Sequence, residues 1–319
     1  MQFSPSVYEH AALLIHRTPW DVSRDAELLF QGHAAAYRLY EHRPIVVGID
    51  IYNLEAEAYG AVVPQPAGAG IPAIARPALS GLDALAALEP FDPHAGRPGM
   101  VIEVGRRLKR EFPQADVRIP VSGPFSIAAN LIGFETLLIG CLTEPDLVRA
   151  ALSHVAQGQV PFVRAIAASG VDVAFFESAA TPPLLAPAQF RDLEVPAVRP
   201  LLDQFAEIMG HPVAFVIGGN TVPILDFILG MGCGYVCCPV ESVQDAFMAK
   251  MAAHPEVMVR VNMDHRIVAG GTWDENRREA DRVIALARTV KKSCIGTGAL
   301  PYETPPENVL RLKEYVVPL

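Results

Sequence analysis

The chain has 319 residues, 51% of them apolar and 19% charged, and carries a net charge of −9. It can bury a sizeable core and is too apolar to be disordered. No Lys/Arg block points to nucleic acid, and no apolar run approaches the ~18 residues of a membrane span. The five cysteines, Cys141, Cys233, Cys237, Cys238 and Cys294, lie in or beside apolar runs. An odd number of them, with no basic region and apolar core in the opening MQFSPSVYEHAALL, leads to the expectation of reduced thiols in the cytoplasm.

Residues 1–43 read as helices. Ser4-Pro5 starts one, and Asp21-Val22-Ser23 starts a second, AELLFQGHAAAYRLY, in which His33 is expected to pack rather than bind a ligand. Residues 44–51, PIVVGIDI, form the first clear strand and place Asp50 near its end. An aspartate there is costly to bury unless it is paired or used; capping the next helix is the alternative. Residues 61–99, rich in Pro, Gly and Ala, read as an irregular excursion over a mouth. Strands follow at 117–121, at 171–177 ending in Glu177, and at 213–217 ending in Gly218-Gly219-Asn220-Thr221. Between the first two of these, a helix over 143–169 has Thr143 as a plausible N-cap.

Further strands span 235–240, followed by Glu241; 257–263, followed by Asp264-His265; and 294–298, ending at Gly298. Cys237 and Cys238 point to opposite sides of their strand, so one at most faces inward, and both read as packed core thiols. Thr272 and Glu275 form a capping box before a long helix. Seven strands alternating with helical patterns argue for parallel βα units. An eighth, needed to close a barrel, is expected within 61–76 or as an irregular strand. A doubly wound open sheet is the alternative, but no strand leads into a nucleotide-binding glycine motif.

Several stretches carry a resemblance. Val216-Ile217-Gly218-Gly219-Asn220-Thr221, IDIYNLEAEAYG around Asp50, SGPFS after the second strand, LLAPAQF, and the ending LPYETPPEN together resemble the uroporphyrinogen decarboxylase superfamily, above all its corrinoid-dependent methyltransferase branch. The resemblance spans essentially the whole chain. It implies an α/β fold, a (β/α)8 TIM barrel, as one domain over 1–319, with N-terminal helices at 1–43 and the barrel at 44–319. In that branch a His, a Cys and a further Cys hold zinc. Here Val216, Gly218 and Gly298 (or Ala299) stand at those places, so no metal site is expected.

The resemblance implies a substrate-facing aspartate at Asp50 and an acidic residue at the mouth at Glu177, with a salt bridge within the barrel as the alternative for Glu177. Both are the expected catalytic groups. Tyr52, Asn53, Gly218, Gly219, Asn220, Glu241, Asp264, His265 and Gly298 are the expected substrate contacts. The first activity implied is methyl transfer between a small, non-thiol substrate, such as a methoxy compound, and a corrinoid (cobalamin) on a partner protein, with a carboxyl group as general acid in place of zinc. The second is metal-free decarboxylation of a tetrapyrrole or other carboxylated substrate. Against it, the family's arginine-rich R-Q-A-G-R-Y is replaced by HRTPWDVSRDAELL, which offers only Arg17 and Arg24. The third is an inactive tetrapyrrole- or corrinoid-binding relative. A homodimer is left open.

Overall fold

The structure, a computed structural model, describes residues 1–317. Eight strands form one parallel sheet: β1 (Phe3–Ser6), β2 (Ile45–Val46), β3 (Val117–Ser122), β4 (Asp172–Phe176), β5 (Ala214–Val216), β6 (Tyr235–Cys238), β7 (Met258–Met263) and β8 (Ser293–Ala299). Their order is β1-β8-β7-β6-β5-β4-β3-β2, with helices between successive strands. The sheet curls into a nearly closed (β/α)8 TIM barrel. Across the remaining gap, Gln2 Nε2 donates to the Arg43 carbonyl at 3.3 Å, and Ser4 Oγ donates to the same oxygen.

The eighth strand is β1, at the N-terminus, where helices alone were expected. Residues 61–76 contribute only one antiparallel bridge, Val62 to Arg76. The strand is hard to read because Pro5 lacks a backbone donor and interrupts it. The pairing with β8 slips between Ser4 and Ser6, as a proline in a ladder requires. The first expected strand is also shorter than its apolar run. After Val47 donates to the Arg118 carbonyl at 2.9 Å, Gly48 turns with φ +149°.

Helix starts follow local capping. Thr18 accepts from Asp21 N ahead of Pro19–Arg24, and Asp25 accepts from Glu27 N and Leu28 N ahead of Ala26–Tyr40. The second helix thus starts at Asp25, not at Asp21–Ser23. Thr143 ends the helix Phe134–Thr143 instead of capping the next, which runs Pro145–Gln157 and is followed by Val160–Ala168. The Thr272/Glu275 capping box forms as read. No single helix among the described residues is long and apolar enough to cross a membrane.

The larger core fills the layer between sheet and helices. A smaller cluster with Tyr8, Val46, Ala174, Phe176 and Ala214 fills the barrel interior. Beside the β1/β2 gap, His10, His33 and His42 are all buried. His33 Nε2 accepts from Gly48 N at 3.0 Å, and His10 Nε2 lies 2.8 Å from Tyr40 Oη. Burial pushes His33 down to about 4 and His42 to about 3, the latter helped by the neighbouring cationic groups.

The folded chain therefore binds fewer protons there than the unfolded chain between about pH 6.5 and pH 4, and stability falls as pH drops through that window. Phe at position 42 would keep the ring contacts with Tyr37 and Tyr40 but could not take a proton. His42→Phe should therefore lose stability less steeply over that range than the native chain. Parallel curves by chemical denaturation would contradict the assignment.

Candidate active site

A cavity of about 350 Å³ opens at the carboxyl ends of the strands, the end where TIM barrels carry their sites. Of the expected residues, Asp50, Tyr52, Asn53, Gly218, Glu241, His265 and Gly298 line it. Ile71 and Pro72 of the 61–99 excursion lie against it, as expected of a segment over the mouth.

Asp50 is fully paired. Arg97, on the helix Gly96–Glu111, places Nη1 at 3.1 Å from one carboxylate oxygen and donates to the other through Nη2. Arg24 Nη1 is 3.7 Å away, and Asn53 Nδ2 donates at 3.1 Å. Glu57 takes up the remaining charge, 2.7 Å from Arg97 and 3.3 Å from Arg24. Burial, and then the nearby Arg97, hold Arg24 below its ordinary value. Asn53 Nδ2 also donates to the Pro72 carbonyl at 2.7 Å, which ties the excursion to the mouth. Asp50 caps no helix with its side chain.

Glu177 does not reach the cavity. Phe176 and Ser178 line it, so the residue between them faces outward by strand alternation. Its carboxyl accepts from Phe125 N at 3.2 Å, Ser126 N at 3.1 Å and Ser126 Oγ, at the start of the helix Pro124–Ile132. Glu194, in a π turn over Phe190–Glu194, is buried beside it. Burial pushes both carboxyls up, and the charge of Glu177 pushes Glu194 further, so the pair retains a proton. Neither the expected catalytic placement of Glu177 nor a salt bridge for it is what the structure shows.

Three more expected contacts also lie off the cavity wall. Asp264 caps the helix His265–Gly270 and is held below the carboxylate range by Arg266, at 2.8 Å. Gly219 takes φ +77°, which favours glycine, and a Cβ there would also lie 3.1 Å from Thr181 Oγ1. Asn220 is exposed on the loop beyond.

The cavity also holds groups that sequence reasoning missed. Glu9, only 6% exposed, has no hydrogen-bond or ion-pair partner in another residue among the described residues, and burial, opposed by its own backbone N–H, pushes it up to about 7. Arg260, 7% exposed, points inward from β7 beside Asn262 and Cys237. Tyr52, pushed up to about 12 by burial, accepts from Ser178 Oγ. His265 Nδ1 is buried with no partner, and a Cβ at Gly298 would lie 2.6 Å from it. The histidine ring thus fills the space that a side chain at 298 would need. Cys237 lines the cavity, while Cys238 packs behind the strand.

Zinc does not fit this wall. Val216, Gly218 and Gly298 offer no side-chain donor, and no group of three His, Cys, Asp or Glu among the described residues could hold a metal.

The family model described as uroporphyrinogen decarboxylase (URO-D) matches residues 2–317. The chain belongs to the uroporphyrinogen decarboxylase family. No curated protein matches its sequence. Among solved structures, "methyltransferase from Methanosarcina mazei" superposes with a TM-score of 0.82 at 17% identity, covering 98% of this chain and 94% of that one. The likeness shows the shared barrel. In this member of the uroporphyrinogen decarboxylase family, one carboxyl at the mouth is locked between arginines and another, Glu9, stands without a partner.

Two stability measurements test these environments. Asp50→Asn leaves Arg97 and Arg24 with Glu57 alone and should cost about 3 kcal/mol, as breaking a buried pair does. A loss under ~1 kcal/mol, the scale of a lost helix cap, would contradict the pairing. Glu9 behaves oppositely. Its folded carboxyl holds its proton more tightly than the unfolded one, so its contribution is full at low pH and is lost as pH rises through about 7. Relative to the native chain, Glu9→Gln should gain stability between about pH 5 and pH 8, by about 1.4 kcal/mol for each unit of the shift. A gap independent of pH would show that Glu9 is not buried as described.

Proposed function

We propose that this chain is an enzyme that moves a methyl group between a small, non-thiol substrate and a corrinoid held by a partner protein in the cytoplasm. The observation that carries the reading is the cavity: small, mostly apolar, and furnished with one carboxyl that keeps a proton near neutrality. At about 350 Å³ it lies at the lower end of the ~300–1,000 Å³ range of small-molecule sites, so a tetrapyrrole substrate is poorly served. The methyltransferase named among the solved structures supports the reading through its shared fold alone.

The corrinoid supplies the methyl acceptor or donor. The cavity is small for such a macrocycle, so the two would meet at the open end, where Glu241 stands. Apolar walls hold the substrate and exclude water. For a methoxy substrate, the O–CH3 bond breaks, the electron pair stays on oxygen, and Glu9 gives that oxygen its proton. The methyl leaves towards the corrinoid, and a proton from solvent restores Glu9. A carboxylic acid can protonate a departing oxygen but cannot hold a thiolate, which is why thiol acceptors are disfavoured. Asp50, already spent on Arg97 and Arg24, braces the mouth and the 61–99 excursion. The unpaired Glu9 also speaks for an active enzyme, since a buried carboxyl without a task costs stability.

The test is absorbance-monitored methyl transfer from a panel of small methoxy compounds to cob(I)alamin, with carbon dioxide release followed in parallel. The expected result is transfer that declines as pH rises above about 7, as the acid form of Glu9 is lost. Glu9→Gln should be slower by ~10²–10⁴. Carbon dioxide release without corrinoid, and no methyl transfer from any compound, would overturn the proposal in favour of a decarboxylase.

A further inference from the structure

Inside the barrel, β7 alternates Val259, Val261 and Met263 outward with Arg260 and Asn262 inward. Arg260 is in register with Cys237 on β6 and Cys294 on β8, so the two cysteines are its neighbours across the sheet. Neither cysteine balances the guanidinium, and no other neighbour among the described residues does. Burial raises both thiols, Cys294 to about 11, and raises the phenols of Tyr8 and Tyr235 as well, so all four stay neutral. No carboxylate among the described residues comes within ion-pair distance of Arg260, whereas Arg24, Arg97 and Arg118 each have one. Arg260 Nε donates to Asn262 Oδ1 at 3.0 Å, and among the described residues neither terminal nitrogen has an oxygen partner. The neighbouring strand is shaped around this side chain. A Cβ at Gly296 would lie 2.4 Å from Arg260 Cδ and 2.5 Å from the Ser4 carbonyl oxygen, so glycine there leaves room for both the stem and β1.

A lone buried charge is retained at a cost in stability unless something completes it. The terminal N–H groups of arginine form a planar fork that matches a carboxylate. We propose that Arg260 is the seat of a substrate carboxylate, and that the pocket takes a small organic acid, acid end inward.

The rest of the cavity fits one such ligand. The wall it shares with Arg260 carries Ile49, Ile51, Phe176 and Val216, which suits a ring or a short aliphatic body. A phosphate dianion suits it less, because Glu9 and Glu241 share the cavity and one guanidinium is the single cation on its wall. Arg260 lies within its strand, whereas Glu9 follows the end of β1 and His265 follows the end of β7. A ligand seated on Arg260 therefore presents its far end to Glu9 and the opening. The carboxylate is a handle and is not the group that reacts. The inference rests on the reading above for placing substrate in this cavity, but not on methyl transfer.

Calorimetric binding of benzoate, 4-methoxybenzoate and cyclohexanecarboxylate to the full chain, each compared with its neutral amide and all without corrinoid, tests the seat. At least one acid should bind tenfold or more tightly than its amide. Arg260→Lys should weaken that acid about tenfold, since a point charge replaces the fork, and Arg260→Gln should erase the preference over the amide. Equal binding of acids and amides, no binding of any acid, or a preference unchanged in a folded Arg260→Gln chain would overturn the proposal. The acid–amide comparison uses the native chain and stands even where Arg260→Gln fails to fold. Acid preference without methyl transfer would reject the activity and keep the seat; methyl transfer with no acid preference would do the reverse.

Discussion

A guanidinium inside a parallel barrel has to be answered by something, and the mouth of this barrel is arranged around two different answers. Arg97, with Arg24 beside it, is answered by the protein: Asp50 and Glu57 close a four-residue network that also fixes Asn53 and the loop at Pro72. Arg260 is answered only by Asn262 and neutral thiols and phenols, with room left for its stem at Gly296. The first arrangement is complete without a ligand. The second becomes complete when an anion arrives.

The other carboxyls divide along the same lines. Glu177 and Glu194 share a proton behind the wall and anchor the start of the helix Pro124–Ile132, and Asp264 caps the helix His265–Gly270. Both serve the scaffold. Glu9 is left as the buried acid at the mouth that no other described residue pairs, and burial brings it to about 7. An acid held near the working pH can both give up and regain a proton readily.

The barrel was largely legible because buried parallel strands read as apolar runs, and because Thr272 and Glu275 announce their helix. β1 was not, because FSPS is short, polar and broken by Pro5. At the site, the resemblance marked the strand ends but not the side that each residue faces. Glu177 sits one position from the inward-facing Phe176, and a single step along a strand reverses the direction. The partner of Asp50 could not be read, because Arg97 lies 47 residues away across an irregular excursion. Arg260 left a usable trace: an arginine inside the apolar run VMVRVNM has the same burial cost as the aspartate in PIVVGIDI. Glu9 left none, since its exposed-looking context YEHAALL hides that it is buried.

The role of Arg260 depends on where an organic acid sits, and a crystal structure of the chain grown with 4-methoxybenzoate measures this directly. The expected result has both carboxylate oxygens within hydrogen-bonding distance of the terminal nitrogens of Arg260, with the methoxy group towards Glu9 and the open end. A carboxylate found at the rim against Arg97 or Arg24, with Arg260 still without an anion, would contradict it.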